Sequence, residues 1–164
     1  MMAAKASKGT AVVTLPTNTS ILITREFDAP KHLVYRAWTT PELVKRWWSG
    51  QRGAVTSADI DLRVGGMWRW VMIADGGLEV AFHGTYREIV PNERLVFTEV
   101  FEGLPDAEAV TSLTFTEQDG RTMLHCHVQH SCQEHRDGHI ASGMEGGMQV
   151  SMDRLEDLVT GRAA

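Results

Sequence analysis

The sequence predicts an α+β fold in which a curved antiparallel sheet of about seven strands wraps one long C-terminal helix. Three observations predict it. From Val55 to Val128, apolar and polar residues alternate in runs separated by short turn signals, the period-2 pattern of half-buried strands. From Ile140 to Val159 the apolar residues recur instead at i, i+3/i+4, the spacing of an amphipathic helix. Between the first strand and the strand-rich stretch, Trp38, Trp47 and Trp48 are divided by Thr39-Thr40-Pro41, which reads as two short helices closing one end of the sheet.

Each element follows in order. Ala11 to Leu15 is at best a short extra strand. Ile21, Ile23 and Phe27 fall on one face of the first full strand. Asp28-Ala29-Pro30 supplies a cap-type residue and a proline at a helix start, and Leu33, Val34, Ala37 and Trp38 follow at helical spacing. Thr40-Pro41-Glu42 repeats the start signal, with Thr40 as N-cap and Pro41 at the first helical position. Strands then run from Val55 to Leu62 and, after Gly65-Gly66, from Met67 to Ile73 with Trp68, Trp70 and Met72 together. Asp75-Gly76-Gly77 is a hairpin signal. Glu79 to Val90 aligns Val80, Phe82, Gly84 and Tyr86, and Pro91-Asn92-Glu93 turns the chain. Leu95, Phe97 and Phe101 share the next face, Thr111, Leu113 and Phe115 the one after. Asp119-Gly120 turns into the strand of Leu124, Cys126 and Val128. Short turns throughout imply one antiparallel meander. Ile140, Met144, Met148, Ser151, Leu155, Leu158 and Val159 form one helix of some twenty residues, with Gly161 past its end.

At 164 residues the chain suits one domain over residues 19–160, with residues 1–18 a flexible segment or extra strand and 161–164 a tail. A net charge of -5 with scattered Lys and Arg argues against nucleic acid as a partner. No run approaches the ~20 apolar residues of a membrane span, so no membrane insertion is expected. No stretch reads as a secretory signal. Two cysteines, Cys126 and Cys132, make no disulfide framework, and a cytoplasmic location is the expectation.

Four segments resemble the family of the activator of heat-shock protein 90 ATPase homologue, within the SRPBCC superfamily of START-like, Bet v 1-like helix-grip folds. They are Phe27-Asp28-Ala29-Pro30 with Val34 to Trp38, and Thr40-Pro41-Glu42-Leu43 with Arg46-Trp47-Trp48. The others are Asp61-Leu62-Arg63-Val64-Gly65-Gly66-Met67-Trp68-Arg69, and Ser142 to Met148 leading to Leu155. The resemblance implies the helix-grip fold, with a cavity between helix and sheet. It leaves function open, because the superfamily hosts lipid binders, polyketide cyclases, hydrolases and co-chaperone domains. One departure stands out: the family's last helix commonly has tryptophan after glycine where this chain reads Gly147-Met148, and the smaller, pliable methionine reshapes the cavity.

The candidate ligand-binding residues are Trp38, Trp47, Trp48, Trp68, Trp70, Phe82, Tyr86, Phe97, Glu99, Met144 and Met148. The aromatic set is either plain core or the lining of a pocket for an apolar or aromatic guest. Glu99 shares strand parity with Leu95, Phe97 and Phe101. If that face points inward, its carboxyl has a raised pKa or a basic partner, for which Arg69, Arg63 and His83 are available; a bulge or strand end would leave it in water. Gly143, Gly146 and Gly147, read as helix interior, each cost about 1 kcal/mol relative to alanine. Close helix–sheet packing or a kink would explain them, and so would room for a guest beneath the helix. His125, His127, His130, His135, His139, Cys126 and Cys132 crowd fifteen residues but match no zinc spacing, and read as solvent-facing histidines with no metal.

Three readings follow. The first is a small-molecule-binding domain with no cofactor. The second is a cyclase, dehydratase or hydrolase in the same cavity, with Glu99 in acid–base work. The third is a protein-interaction module akin to the co-chaperone domain, linked to stress response and self-associating as a homodimer.

Overall fold

In the computed structural model, the chain opens with two strands, β1 (Val12–Thr14) and β2 (Ser20–Phe27). Helices α1 (Lys31–Thr39) and α2 (Pro41–Trp47) follow. Then come β3 (Gly53–Ile60), β4 (Met67–Ala74), β5 (Glu79–Val90), β6 (Arg94–Phe101), β7 (Ala109–Gln118) and β8 (Arg121–His130). Helices α3 (Gln133–Ala141) and α4 (Met144–Thr160) end the fold. The structure describes residues 10–48, 53–74 and 76–161; Asp75 of the expected hairpin, residues 1–9 and residues 162–164 lie outside these.

All eight strands form one antiparallel sheet in the order β1-β2-β8-β7-β6-β5-β4-β3, one strand more than expected because β1 pairs along β2. The meander holds for β3 to β8 only. β2 does not neighbour β3 but pairs with β8, Ile21 opposite Val128 and Phe27 opposite Thr122. Alternation along a strand fixes which face is buried and says nothing about which strand lies beside it. Here α1 and α2 carry the chain from β2 to the far edge of the sheet. Register shifts at Thr56 in β3 and Arg87 in β5 insert one extra residue each, which bends a strand and raises its twist.

The helix pair forms for the reasons visible in the sequence. Thr40 is extended (φ -111, ψ 115) and ends α1 while preceding α2, whose first residue is Pro41. The cap of α1 is Pro30, not Asp28, and neither cap residue makes a side-chain capping bond.

The expected single last helix is two helices. Gly143 adopts φ 81, a left-handed conformation that side-chain-bearing residues seldom take, and it separates α3 from α4. Gly143 is therefore a junction and not helix interior. Ile140, expected on the stripe of the long helix, belongs to α3 and is 37% exposed.

Burial divides the molecule lengthwise. Along β2, β7 and β8, Ile21, Phe27, Leu113, Phe115 and Leu124 pack with Val34 of α1 and Leu155 of α4, all at most 1% exposed. Each such side chain contributes about 1.5–3 kcal/mol on burial. In α4 the buried residues are Ser151, Met152, Leu155 and Glu156, all from its midpoint onward. From Met144 to Val150 none is buried. Polar bonds tie both halves: Asp153 accepts from the buried Arg25 at 2.8 Å and Glu156 accepts the Asp28 backbone N–H at 3.1 Å, while in the first half the Gln149 side chain donates to the Ala11 carbonyl at 2.8 Å and accepts the Ala11 N–H at 3.1 Å. The first half of α4 is thus anchored beside β1 but buries no residue fully, and it stands off the inner face of the sheet across a gap. Among the described residues, no helix is long and apolar enough to cross a membrane.

Candidate functional site

Under the first half of α4 lies a concavity of about 300 Å³, walled by the inner face of β4 to β8, by α1 and α2, and by the α3–α4 junction. Strand alternation aims Trp68, Trp70 and Met72 of β4, Phe82 and Tyr86 of β5, and Leu95, Phe97 and Glu99 of β6 toward it. Trp38 comes from α1, Trp47 from α2, and Trp48 follows α2. Met144, Gly147 and Met148, one helical turn apart, hang from α4. All eleven candidate residues from the sequence therefore meet at one wall.

The indoles are not equivalent. Trp70 is the hub: Trp38, Trp47, Trp48 and Trp68 have ring centres 5.3 to 6.1 Å from it. Trp47 is 2% exposed and donates its N–H to the Ala37 carbonyl at 2.9 Å, locking α2 against α1. Trp68 donates to the Thr98 carbonyl at 3.1 Å across Gly84. These two are structural members whose inner faces also form wall. The N–H groups of Trp38 and Trp70 are buried without a partner, as is the hydroxyl of Thr111 on β7. Buried polar groups are seldom left so.

Glu99 stands on the wall and makes no hydrogen bond or ion pair with any described residue. Its surroundings are apolar, and desolvation pushes its carboxyl up to about 7. None of its three expected partners reaches it. Arg69 and His83 occupy the outer face, where both bind Glu102, Arg69 through two bonds of 2.8 and 2.9 Å and His83 at 2.9 Å. Those bonds hold Glu102 down at about 2. Arg63 pairs with Asp61 at 2.8 Å. Strand alternation explains this: Arg69 and His83 lie opposite each other in the β4–β5 register, with the inward Trp68 and Trp70 on either side of Arg69.

The histidine-rich segment divides by position. His125 and His127 occupy the half-buried outer face of β8. His130 and His139 are not solvent-facing, contrary to expectation. His130 is 9% exposed and shares a 3.0 Å hydrogen bond with His139, which lines the concavity. Burial first, then His139, His135 and Arg136, lowers His130 to about 4, and burial lowers His139. His135 bonds Ser131 at 3.1 Å instead.

Sequence reasoning overlooked five wall residues with polar groups: Thr111, Cys126, His139, Ser142 and Ser151. Parity with Leu113 and with Leu124 signals Thr111 and Cys126. Ser151 holds the Trp48 carbonyl, joining α4 to the end of α2. No pattern signals His139, because its place depends on the break at Gly143. The helix glycines have an answer too. A methyl built at Gly146 or Gly147 meets nothing within 4 Å, so close packing does not require them. Gly147 borders open space.

Residues 28–160 match the family model described as Activator of Hsp90 ATPase homolog 1-like protein. No curated protein matches the chain. Among solved structures, a Rhodobacter sphaeroides protein superposes with TM-score 0.86 at 22% identity, over 93% of this chain and 99% of that one. A Mycobacterium smegmatis protein gives TM-score 0.82 at 22% identity, over 92% and 97%. A Chromobacterium violaceum protein gives TM-score 0.74 at 28% identity, over 85% and 96%. At such identities these likenesses speak to the fold.

Proposed function

The chain belongs to the family of Activator of Hsp90 ATPase homolog 1-like proteins, and from that premise we propose that it is a small-molecule-binding domain whose apolar or aromatic guest sits between α4 and the sheet. The observation that carries this reading is the stand-off of the first half of α4. A helix with Met144 and Met148 on its inner face leaves them half-buried over an aromatic wall instead of closing the gap. Exposed apolar surface of this kind is stabilised when a guest covers it, by about 25 cal/mol per Å². At about 300 Å³ the space is at the low end for ligand sites, which favours a small ring system over a long-chain lipid. The free thiols of Cys126 and Cys132 suit a reducing, cytoplasmic setting.

Isothermal calorimetry with 2-phenylethanol as a neutral probe tests the reading, alongside native mass spectrometry of freshly purified protein. Saturable heat at one site per chain is expected, and the mass reports whether the chain is a homodimer. Absence of saturable heat would overturn the reading. A second reading, acid–base chemistry on the guest, is favoured by Glu99 and His139 lining the same wall. Its test is chromatographic: a guest recovered chemically changed after incubation with the protein, and unchanged with a Glu99→Gln variant.

A further inference from the structure

The wall of the concavity holds no lysine and no arginine among the described residues. Its ionisable side chains are Tyr86 of β5, Glu99 of β6, Cys126 of β8 and His139 of α3; α1, α2, β4, β7 and α4 contribute none. Burial raises the Tyr86 hydroxyl, and burial aided by Glu99 raises the Cys126 thiol to about 12. Burial lowers His139. Near neutral pH those three are uncharged, and the one charge the wall can carry is the negative one of Glu99, which is about half ionised at pH 7 and mostly ionised at pH 8.

An unpaired carboxylate in an apolar setting is costly, and it is relieved by a proton or by a cation close by. No described residue supplies a cation: Arg69, His83 and Arg63 are engaged elsewhere. The Thr111 hydroxyl, on a residue 2% exposed, also lacks a partner and lines the same wall. It can accept a second N–H. Around these polar groups stand indole and phenyl rings, whose negative faces attract cations. A guest bearing a carboxylate or phosphate would meet the opposite: repulsion from Glu99 with no basic residue to offset it.

Resting on the binding reading above, we propose that the concavity selects an organic amine, its ring among the tryptophans and its single ammonium group against Glu99. The ammonium supplies the partner that no described residue gives Glu99, and the ring covers the half-buried methionines of α4.

Three probes of similar size separate the classes: phenethylamine, 2-phenylethanol and 3-phenylpropionate, titrated calorimetrically at pH 8 and pH 6. Phenethylamine is expected to bind tightest at pH 8. Because Glu99 ionises near 7, its charged fraction falls from about nine-tenths to about one-tenth between these pH values, so the amine should weaken about tenfold at pH 6 while the alcohol does not. Glu99→Gln should abolish the preference for the amine, with a circular dichroism spectrum matching the parent's to show that the variant is folded. Equal or tighter binding of the carboxylate, or an amine preference unchanged in Glu99→Gln, overturns the proposal. If the alcohol binds and the amine shows no preference, this proposal falls and the binding reading stands. If no probe binds, both fall.

Discussion

Gly84 shows how much one missing methyl can decide. An added Cβ would stand 1.7 Å from the Thr98 carbonyl oxygen and 2.6 Å from the Trp68 indole nitrogen. The first of these is backbone and cannot swing aside. Gly84→Ala should therefore cost at least about 1–3 kcal/mol, read as a lower urea midpoint; an unchanged midpoint would show that the Trp68–Thr98 bond is not tight. Glu99 predicts a pH signature. Its folded pKa, about 7, lies above the ordinary carboxylate value, so between about 4.5 and 7 the folded chain holds more protons than the unfolded one. Stability then falls as pH rises through that window and levels off above it. Glu99→Gln should raise stability at pH 8, by up to about 3 kcal/mol, and change little at pH 4. Denaturation at both pH values checks this, and an equal gain at both would contradict it. Glu99's inward side was legible because parity with Phe97 fixes it. Its lack of a partner among the described residues was not, since Arg69 and His83 lie nearly level with it across the strands yet emerge on the opposite face.

At the scale of elements, the α3–α4 junction was the least legible part. Ile140 and Met144 keep four-residue spacing across the break, so periodicity alone runs straight through Gly143. Only the backbone angle, φ 81, reveals the turn. Two glycines of the same segment should respond oppositely to alanine. Gly143→Ala places a side chain in a left-handed conformation and should cost about 1–2 kcal/mol. Gly147→Ala adds a methyl into open space within a helix and should gain up to about 1 kcal/mol. Thermal denaturation of the pair distinguishes them, and a loss at both positions would mean that helix packing, not conformation, governs this segment. By contrast the break between α1 and α2 was legible to the residue, because Pro41 can start a helix and cannot continue one.

For the molecule as a whole, the two periodicities in the sequence identified sheet and helix, while the cavity emerged from something no periodicity encodes: how far along α4 the contact with the sheet persists. Met148→Trp tests that geometry. The larger side chain, common in the family at this place, should fill the space under the first half of α4. Binding of 2-phenylethanol should be lost while the melting temperature holds or rises by a few degrees, as buried area increases. Retained binding would place the guest elsewhere. The tryptophan run opened as a marker of the fold, but its position has an optical consequence. The chain has five tryptophans, and all five border the same concavity. No indole elsewhere contributes background, so the protein's entire tryptophan emission originates at the wall of this one space, with Trp70 in contact range of the other four for energy transfer. The unlabelled chain is in that sense its own spectroscopic probe, reporting on the occupancy of the concavity and on little else.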